Sequence, residues 1–222
     1  MLSDESDKSE TKQYCSRYVS IFPFHFIINL PCCDSFTVML ASSLFMGKRI
    51  LLHVCCGPCS TASIERLLAE GYEVVLFFSD SNIFPHEEFI KRYENLLIVA
   101  SHYSLPVILD SWDHQEWLEA VKGHESDKEH GERCSICFHF NLERAYRKAK
   151  ELGIEEFTTT LTVSRFKSSK KIFAEGDNFP GFVEIDFKKK DGFNRSIVLS
   201  KELGLYRQQW CGCEFSLRDS NA

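Results

Sequence analysis

The chain has 222 residues, of which 44% are hydrophobic and 26% are charged, so it is not a wholly disordered protein. Its length is that of one α/β domain with a small appendage, and its apolar share is enough to build a core. The formal net charge of −6 excludes a protein that is basic overall, so any contact with nucleic acid must come from a local patch of charge.

Residues 1–45 differ in composition from the rest of the chain. The first dozen residues are polar, charged and serine-rich, which is typical of a disordered terminus. Residues 18–45 are apolar, but polar residues and prolines interrupt them before the roughly 20 apolar residues of a membrane span accumulate. We interpret 1–45 as a disordered or non-native extension ahead of a start at Met46, and 46–218 as the folded domain. Cys15, Cys32 and Cys33 lie in the extension and are assigned no chemistry.

From residue 49 onward, short apolar runs alternate with amphipathic segments of helical period. In chain order the pattern predicts strand Ile50–Val54, helix Ser60–Ala69, strand Glu73–Phe78, helix His86–His102, strand Pro106–Leu109, helix Asp113–Val121, helix Phe138–Leu152, strand Glu156–Leu161, helix Ser168–Glu175, strand Phe182–Phe187 and helix Asn194–Leu203. This alternation predicts an α/β fold, a Rossmann-like parallel sheet with helices on both faces in a single domain.

Cysteine is unusually abundant, with ten residues in the chain. Cys55, Cys56 and Cys59 directly follow the first predicted strand, at the carboxyl end where open α/β sheets bind ligands and where a helix N-terminus favours thiolates. Cys134 and Cys137 form a second close-spaced group just before a predicted helix. Two such groups predict a tetrahedral metal site or an iron–sulfur cluster. Their spacing does not separate the two, and buried cysteines that only pack are the plain alternative.

A third group, Cys211-Gly212-Cys213, lies near the C-terminus. Because a single glycine separates them, the two cysteines are poorly placed to bind the same metal ion. Their thiols can instead form a strained disulfide that is easily reduced. Incidental thiols are the alternative. The segment can also move as a C-terminal flap without disturbing the sheet. No GxGxxG or P-loop sequence is present, which argues against an ordinary nucleotide-binding enzyme.

The stretch from Arg165 to Arg207 is locally basic, with ten basic and six acidic residues and several interleaved aromatic side chains. Such a mixture can hold a phosphate backbone and stack on unpaired bases. A solvated, lysine-rich surface explains the pattern alone somewhat better than a nucleic-acid site does.

Several segments together resemble the QueH-type epoxyqueuosine reductases, in the order found in that family. They are Leu51–Ser60 with the sequence LLHVCCGPCS, Arg133–Phe138, Thr158–Ser164 followed by Lys167, Asp186–Gly192, and Leu205–Ser216 with the sequence LYRQQWCGCEFS. The chain departs from the family in two places. It has Asp80-Ser81-Asn82-Ile83 where the family usually has Asn-Pro-Asn-Ile, which leaves the role of Asp80 open, and it has Trp210 where a tyrosine is common.

The resemblance implies a cytoplasmic oxidoreductase that reduces epoxyqueuosine to queuosine at the wobble position of tRNA. It implies that Cys55, Cys56, Cys134 and Cys137 hold a 4Fe-4S cluster. It also implies that Cys211 and Cys213 are a redox-active pair served by an unidentified electron donor, with no membrane partner. An acid must protonate the departing oxygen, and the proposed proton donors are Asp80, Asp186 and Tyr206.

If the substrate is tRNA, the basic stretch supplies its binding residues. The predicted ones are Arg165, Lys167, Lys188, Lys189, Lys190, Arg195 and Arg207. Two other functions fit parts of the pattern. One is a zinc-stabilised RNA-binding protein without redox activity, and the other is a thiol–disulfide oxidoreductase that needs only the pair Cys211 and Cys213.

Overall fold

The computed structural model describes residues 17–21, 24–28 and 47–216. In the N-terminal unit, strand β1 (Arg17–Ile21) pairs antiparallel with β2 (Phe24–Ile28), with Arg17 opposite Ile28. The rest of 1–46 lies outside the described residues, including Cys15, Cys32 and Cys33, so the predicted disordered or non-native extension remains a prediction.

Residues 47–216 form an α/β domain in which strands and helices alternate. In chain order they are β3 (Lys48–Val54), α1 (Gly57–Ala69), β4 (Tyr72–Phe78), α2 (His86–Tyr103), β5 (Val107–Leu109), α3 (His114–Ala120), α4 (Glu132–Glu151), β6 (Glu156–Thr159), a 3₁₀ turn (Thr160–Val163), α5 (Ser169–Gly176) and α6 (Gly192–Glu202). No described helix is long and apolar enough to cross a membrane.

The four strands of this domain form one parallel sheet in the order β5-β4-β3-β6. The chain starts in the middle, at β3, runs outward through β4 and β5, and then returns to place β6 on the other side of β3. The carboxyl ends of β3 and β6 therefore flank a topological switch point, where open α/β sheets leave a crevice for ligands.

Alternate residues of β3 face opposite sides of the sheet, as a strand buried on both faces requires. Ile50, Leu52 and Val54 pack with α1 and α2 on one face. Leu51 packs with α4 and α5 on the other. The predicted parallel sheet with helices on both faces is thus confirmed.

The predicted strand Phe182–Phe187 is wrong. This segment forms a single bridge, from Phe182 to Phe157 of β6, and then runs alongside threonine side chains. Thr158 Oγ1 donates to the Val183 carbonyl at 2.8 Å, and Thr162 Oγ1 donates to the Ile185 carbonyl at 2.8 Å. Because β6 ends after four residues and gives way to the 3₁₀ turn, no longer strand is available for pairing.

Helix α4 begins six residues before its predicted start at Phe138. Gly131 occupies the N-cap, and a carboxylate further upstream caps the first turn, since Asp127 Oδ2 accepts a hydrogen bond from the Arg133 N–H at 3.0 Å. Cys134 and Cys137 therefore lie within the first two turns of the helix instead of just before it. A spacing of three residues puts them on one helical face.

Candidate metal and redox site

Three cysteines meet where β3 ends and α1 begins. Cys55 follows the last strand residue, Cys56 is the N-cap of α1, and Cys59 lies in its first turn. Their sulfur atoms all lie within 4.8 Å of one another. We call this group the thiol triad. Sequence reasoning left Cys59 without a role, although its position one helical turn after Cys55 and Cys56 is the signal that could have found it.

Polar side chains from distant elements contact the thiol triad. Thr160, directly after β6, accepts a hydrogen bond from the Cys55 N–H at 3.2 Å and lies 3.5 Å from its sulfur. Gln208 Nε2 donates to Cys56 Sγ at 3.0 Å. Hydrogen bonds from the Cys55 and Cys59 thiols, helped by Arg92 and Gln208, hold the pKa of Cys56 well below its usual value. A lowered pKa favours the thiolate form of Cys56, which is a ligand suited to soft metals.

A cavity beside the triad collects cysteines from three parts of the chain. We call it the cysteine cavity, and its thiols are Cys55, Cys134, Cys137, Cys211 and Cys213. Cys56 and Cys59 are not among the residues that line it. Of the four predicted cluster ligands, the structure therefore brings Cys55, Cys134 and Cys137 to one cavity and leaves Cys56 in the adjoining triad.

The two thiols on α4 receive hydrogen bonds from neighbouring amides. The His130 N–H donates to Cys134 Sγ at 3.3 Å, and Asn141 Nδ2 lies 3.5 Å from Cys137 Sγ. Burial raises the pKa of both thiols. Burial thus favours the neutral thiols, and a metal or cluster would supply positive charge that favours their ionisation.

The C-terminal pair, Cys211 and Cys213, is reduced, with the two sulfur atoms 3.7 Å apart. Ser216 Oγ lies 3.1 Å from Cys211 Sγ. The hydrogen bond from Cys213, the ammonium of Lys167 and Ser216 hold the pKa of Cys211 well below its usual value, whereas the contact with Cys211 and burial raise that of Cys213. These opposite shifts make Cys211 the more acidic thiol of the pair.

The three predicted proton donors lie in different places. Asp80 lines the cysteine cavity, and its Oδ2 is buried with no hydrogen-bond partner among the residues that the structure describes. Burial, with Cys55 nearby, raises the pKa of Asp80 well above its usual value. Asp186 pairs with Lys188 at 3.7 Å, and the Tyr206 hydroxyl contacts Glu88 at 3.2 Å. Neither Asp186 nor Tyr206 is part of the cavity lining.

The predicted tRNA-binding residues also separate into two groups. Lys167 lines the cysteine cavity itself, where burial alone would lower its pKa but nearby Cys55 and Cys211 raise it. Arg165 and Lys167 line an adjoining groove with Phe166, whose side chain is 75% exposed, and with Lys171, a residue that the sequence analysis did not single out. We call this groove the cavity mouth.

The other predicted tRNA-binding cations do not line the cavity mouth, and most have protein partners. Lys188 Nζ contacts Ser169 Oγ at 2.6 Å, and Arg195 makes two contacts of 2.7 and 2.9 Å with Glu65. Lys190 lies 3.9 Å from Glu70, Arg207 donates to Ser200 Oγ at 2.9 Å, and Lys189 is exposed. The exposed ion pairs of Arg195 with Glu65 and of Lys190 with Glu70 are weak, so these two cations can exchange a carboxylate for a phosphate.

Fold and site together define a class. A parallel α/β domain gathers seven free thiols around its switch point, next to a buried carboxylic acid and a lysine, as a thiol-based redox or metal protein does. Residues 50–219 match the family described as "Epoxyqueuosine reductase QueH".

Curated relatives carry the same description. The chain is 36% identical to "Epoxyqueuosine reductase QueH" of Haemophilus influenzae over 78% of this chain and 74% of that one. It is also 36% identical to the protein of that name from Thermotoga maritima, over 76% and 90%. Among solved structures, "U34-tRNA thiolase NcsA from Methanococcus maripaludis with its [4Fe-4S] cluster" matches 78% of this chain and 63% of its own with 12% identity and a TM-score of 0.47, too remote to bear on function.

The chain belongs to the epoxyqueuosine reductase QueH family. The predicted family and the predicted class, an oxidoreductase of queuosine biosynthesis, are thereby confirmed.

Proposed function

We propose that this protein removes the epoxide oxygen of epoxyqueuosine at the wobble position of tRNA and so forms queuosine. The observation that carries the proposal is the meeting of the C-terminal pair, the triad cysteine Cys55 and the α4 thiols in one cavity. We assign the reaction to the cytoplasm, where tRNA substrates are found and where thiols such as the seven described here stay reduced.

The C-terminal pair alone can supply the electrons and protons that the reaction consumes. Loss of the epoxide oxygen as water breaks two C–O bonds, forms a C=C bond and consumes two electrons and two protons. Closing the dithiol of Cys211 and Cys213 to a disulfide releases two electrons and two protons. The disulfide must then be reduced by an external electron donor before the next turnover.

The residues present fit an iron–sulfur cluster. Soft thiolates are its protein ligands, and this site offers thiols just after β3, on α1 and on α4 in addition to the C-terminal pair. We propose Cys55, Cys56, Cys134 and Cys137 as ligands, with Cys59, the third member of the thiol triad, as a further thiol within 4.8 Å of Cys55 and Cys56. When bound, the cluster supplies electrons one at a time.

Asp80 is our proposed proton donor to the departing oxygen. Of the three acids considered from sequence, it is the one in the cysteine cavity, and its unpartnered Oδ2 is free to meet a ligand there. Asp186 and Tyr206 do not line this cavity. The raised pKa of Asp80 favours the protonated form that a proton donor needs.

The cavity mouth is our proposed entry for the anticodon. Enzymes that act on a single base take it out of its stack and read it against aromatic side chains. Phe166 offers such a ring beside Lys167, and Arg165 and Lys171 can meet the flanking phosphates. The remaining predicted cations, on α6 and near it, would extend the contact along the anticodon arm.

Anaerobic analysis of iron and acid-labile sulfide tests the cofactor. We expect both elements, close to four of each per chain, together with broad visible absorption from a cluster with four irons. Zinc in place of iron, with no sulfide, would contradict the cluster. A protein that holds no metal at all yet reduces model disulfides would instead support a plain thiol–disulfide oxidoreductase.

A further inference from the structure

We infer that Arg92, on α2, is the positioning residue of the C-terminal pair: its buried guanidinium holds the backbone of Trp210 and Cys211, so that both thiols are kept against the cysteine cavity. The redox role of the pair rests on the proposed function, whereas the clamp itself is a feature of the geometry.

Arg92 is 1% exposed, and three of its nitrogen atoms have partners. Nη1 donates to the Cys211 carbonyl at 2.9 Å, and Nη2 donates to the Trp210 carbonyl at 3.3 Å. The guanidinium also lies over the Trp210 ring, 5.4 Å from its centroid. A planar fork with several donors can make these contacts together, which a lysine ammonium cannot.

An acidic residue on the same helix also binds the guanidinium. Glu88, 7% exposed, accepts from Arg92 Nε at 2.7 Å, and the Tyr206 hydroxyl contacts the other oxygen of this carboxylate at 3.2 Å. Burying charged groups is costly, so a buried ion pair is expected to have a structural role. Here the pair anchors the C-terminal segment at two points, Tyr206 and Cys211.

Gly212, between the two redox cysteines, lies so close to Arg92 that a side chain there would disturb the contact between Arg92 and the C-terminal pair. Its φ is +121°, and a Cβ there would lie 2.9 Å from Arg92 Nη1 and 3.0 Å from Ile83 Cγ1. Its carbonyl accepts from the Phe84 N–H at 2.9 Å. The segment that the sequence predicts can move as a flap is thus held through its main chain, by contacts that involve neither sulfur atom.

The test is the alkylation rate of Cys213 in the full-length, iron-loaded, reduced protein, followed cysteine by cysteine by mass spectrometry. Arg92→Lys keeps the positive charge beside Glu88 but loses the planar set of donors. Gly212→Ala places a methyl group against Arg92 Nη1 and so disturbs the same contact. We expect each variant to alkylate Cys213 about tenfold faster or more, since charge-assisted hydrogen bonds are lost. Cys59, in the triad, should keep its rate. Arg147→Met, which removes an exposed Arg–Glu pair on α4, is the matched control and should change neither rate.

An unchanged Cys213 rate in both variants would overturn the clamp. Equal acceleration at Cys213 and Cys59 would also overturn it, because that result means general loosening of the fold. If Arg92→Lys does not fold, Gly212→Ala alone decides. The measurement needs neither tRNA nor turnover, so its outcome is separate from the proposed function. In turnover, both variants should lower kcat and leave the KM for tRNA unchanged.

Discussion

The two cysteines of the C-terminal pair have unequal surroundings, and this inequality assigns their roles. The hydrogen bond from Cys213, together with Lys167 and Ser216, lowers the pKa of Cys211, whereas the contact with Cys211 and burial raise the pKa of Cys213. The more acidic thiol of such a pair is the one that acts as the nucleophile when a disulfide closes, because the thiolate form reacts.

Replacing both cysteines of this pair by serine should separate redox function from folding. We expect the variant to fold, to retain its iron and to bind tRNA, but to turn over poorly with tRNA that carries epoxyqueuosine. Iron content and single-turnover kinetics are the measurements. A variant that comes off the column without iron would make the pair cluster ligands, and full activity would leave it without a catalytic role.

Replacing Phe166 tests whether a base stacks on this aromatic ring at the cavity mouth. Loss of a base–aromatic stack costs about 1–3 kcal/mol, so Phe166→Ala should raise the KM for tRNA about fivefold or more. Phe166→Tyr keeps the ring and should stay near the wild-type value. Because the side chain is 75% exposed, neither change should alter thermal stability. An unchanged KM in the alanine variant would exclude stacking at this position.

At the scale of elements, the first two turns of α4 bring a distant cysteine pair to the switch point between β3 and β6. Cys134 there should support both cofactor and fold, since cluster binding contributes folding free energy. Cys134→Ser is expected to lose iron and to lower the melting temperature. Cys59→Ser, which removes a triad thiol outside the cavity lining, is the comparison. A Cys134→Ser protein with full iron and sulfide would remove this residue from the ligand set.

The capping of α4 gives a prediction that is independent of the cofactor. Asp127→Ala removes the acceptor for the Arg133 N–H and should lower the free energy of unfolding by about 1 kcal/mol, with Asp127→Asn retaining most of it. Chemical denaturation measures both. Equal stability of the alanine variant and the wild type would mean that another group caps the helix.

The sheet could be predicted from sequence because its strands are short, apolar and bounded by turn residues, and because helices alternate with them. The start of α4 could not, since Asp127 caps it from outside the apolar pattern. Phe182–Phe187 has the composition of a strand, but whether it pairs depends on where β6 stops. The cysteine groups were visible as spacing, whereas the clamp by Arg92 joins residues more than a hundred positions apart, and no local pattern reveals it.

At the scale of the whole molecule, binding an anionic RNA requires the acidic chain to present its positive charge in one region. Arg165→Gln with Lys171→Gln, at the cavity mouth, should weaken tRNA binding and flatten its salt dependence by up to about 0.9 log units for each phosphate that is no longer neutralised. Neutralising Lys188, Lys189 and Lys190 should do the same if the interface extends along the anticodon arm. Lys148→Gln, a surface lysine paired with Glu151 on α4, is the control. An unchanged salt slope in both sets of variants would mean that these cations form only a solvated surface and do not contact tRNA.

The central claim is that the gathered thiols serve to deoxygenate a base in tRNA. The most direct measurement is nucleoside mass spectrometry of epoxyqueuosine-bearing tRNA after anaerobic incubation with the iron-loaded protein and a chemical reductant. We predict conversion to queuosine, seen as the loss of one oxygen atom from the modified nucleoside. Unchanged epoxyqueuosine, under conditions in which the Haemophilus influenzae relative converts it, would contradict the account.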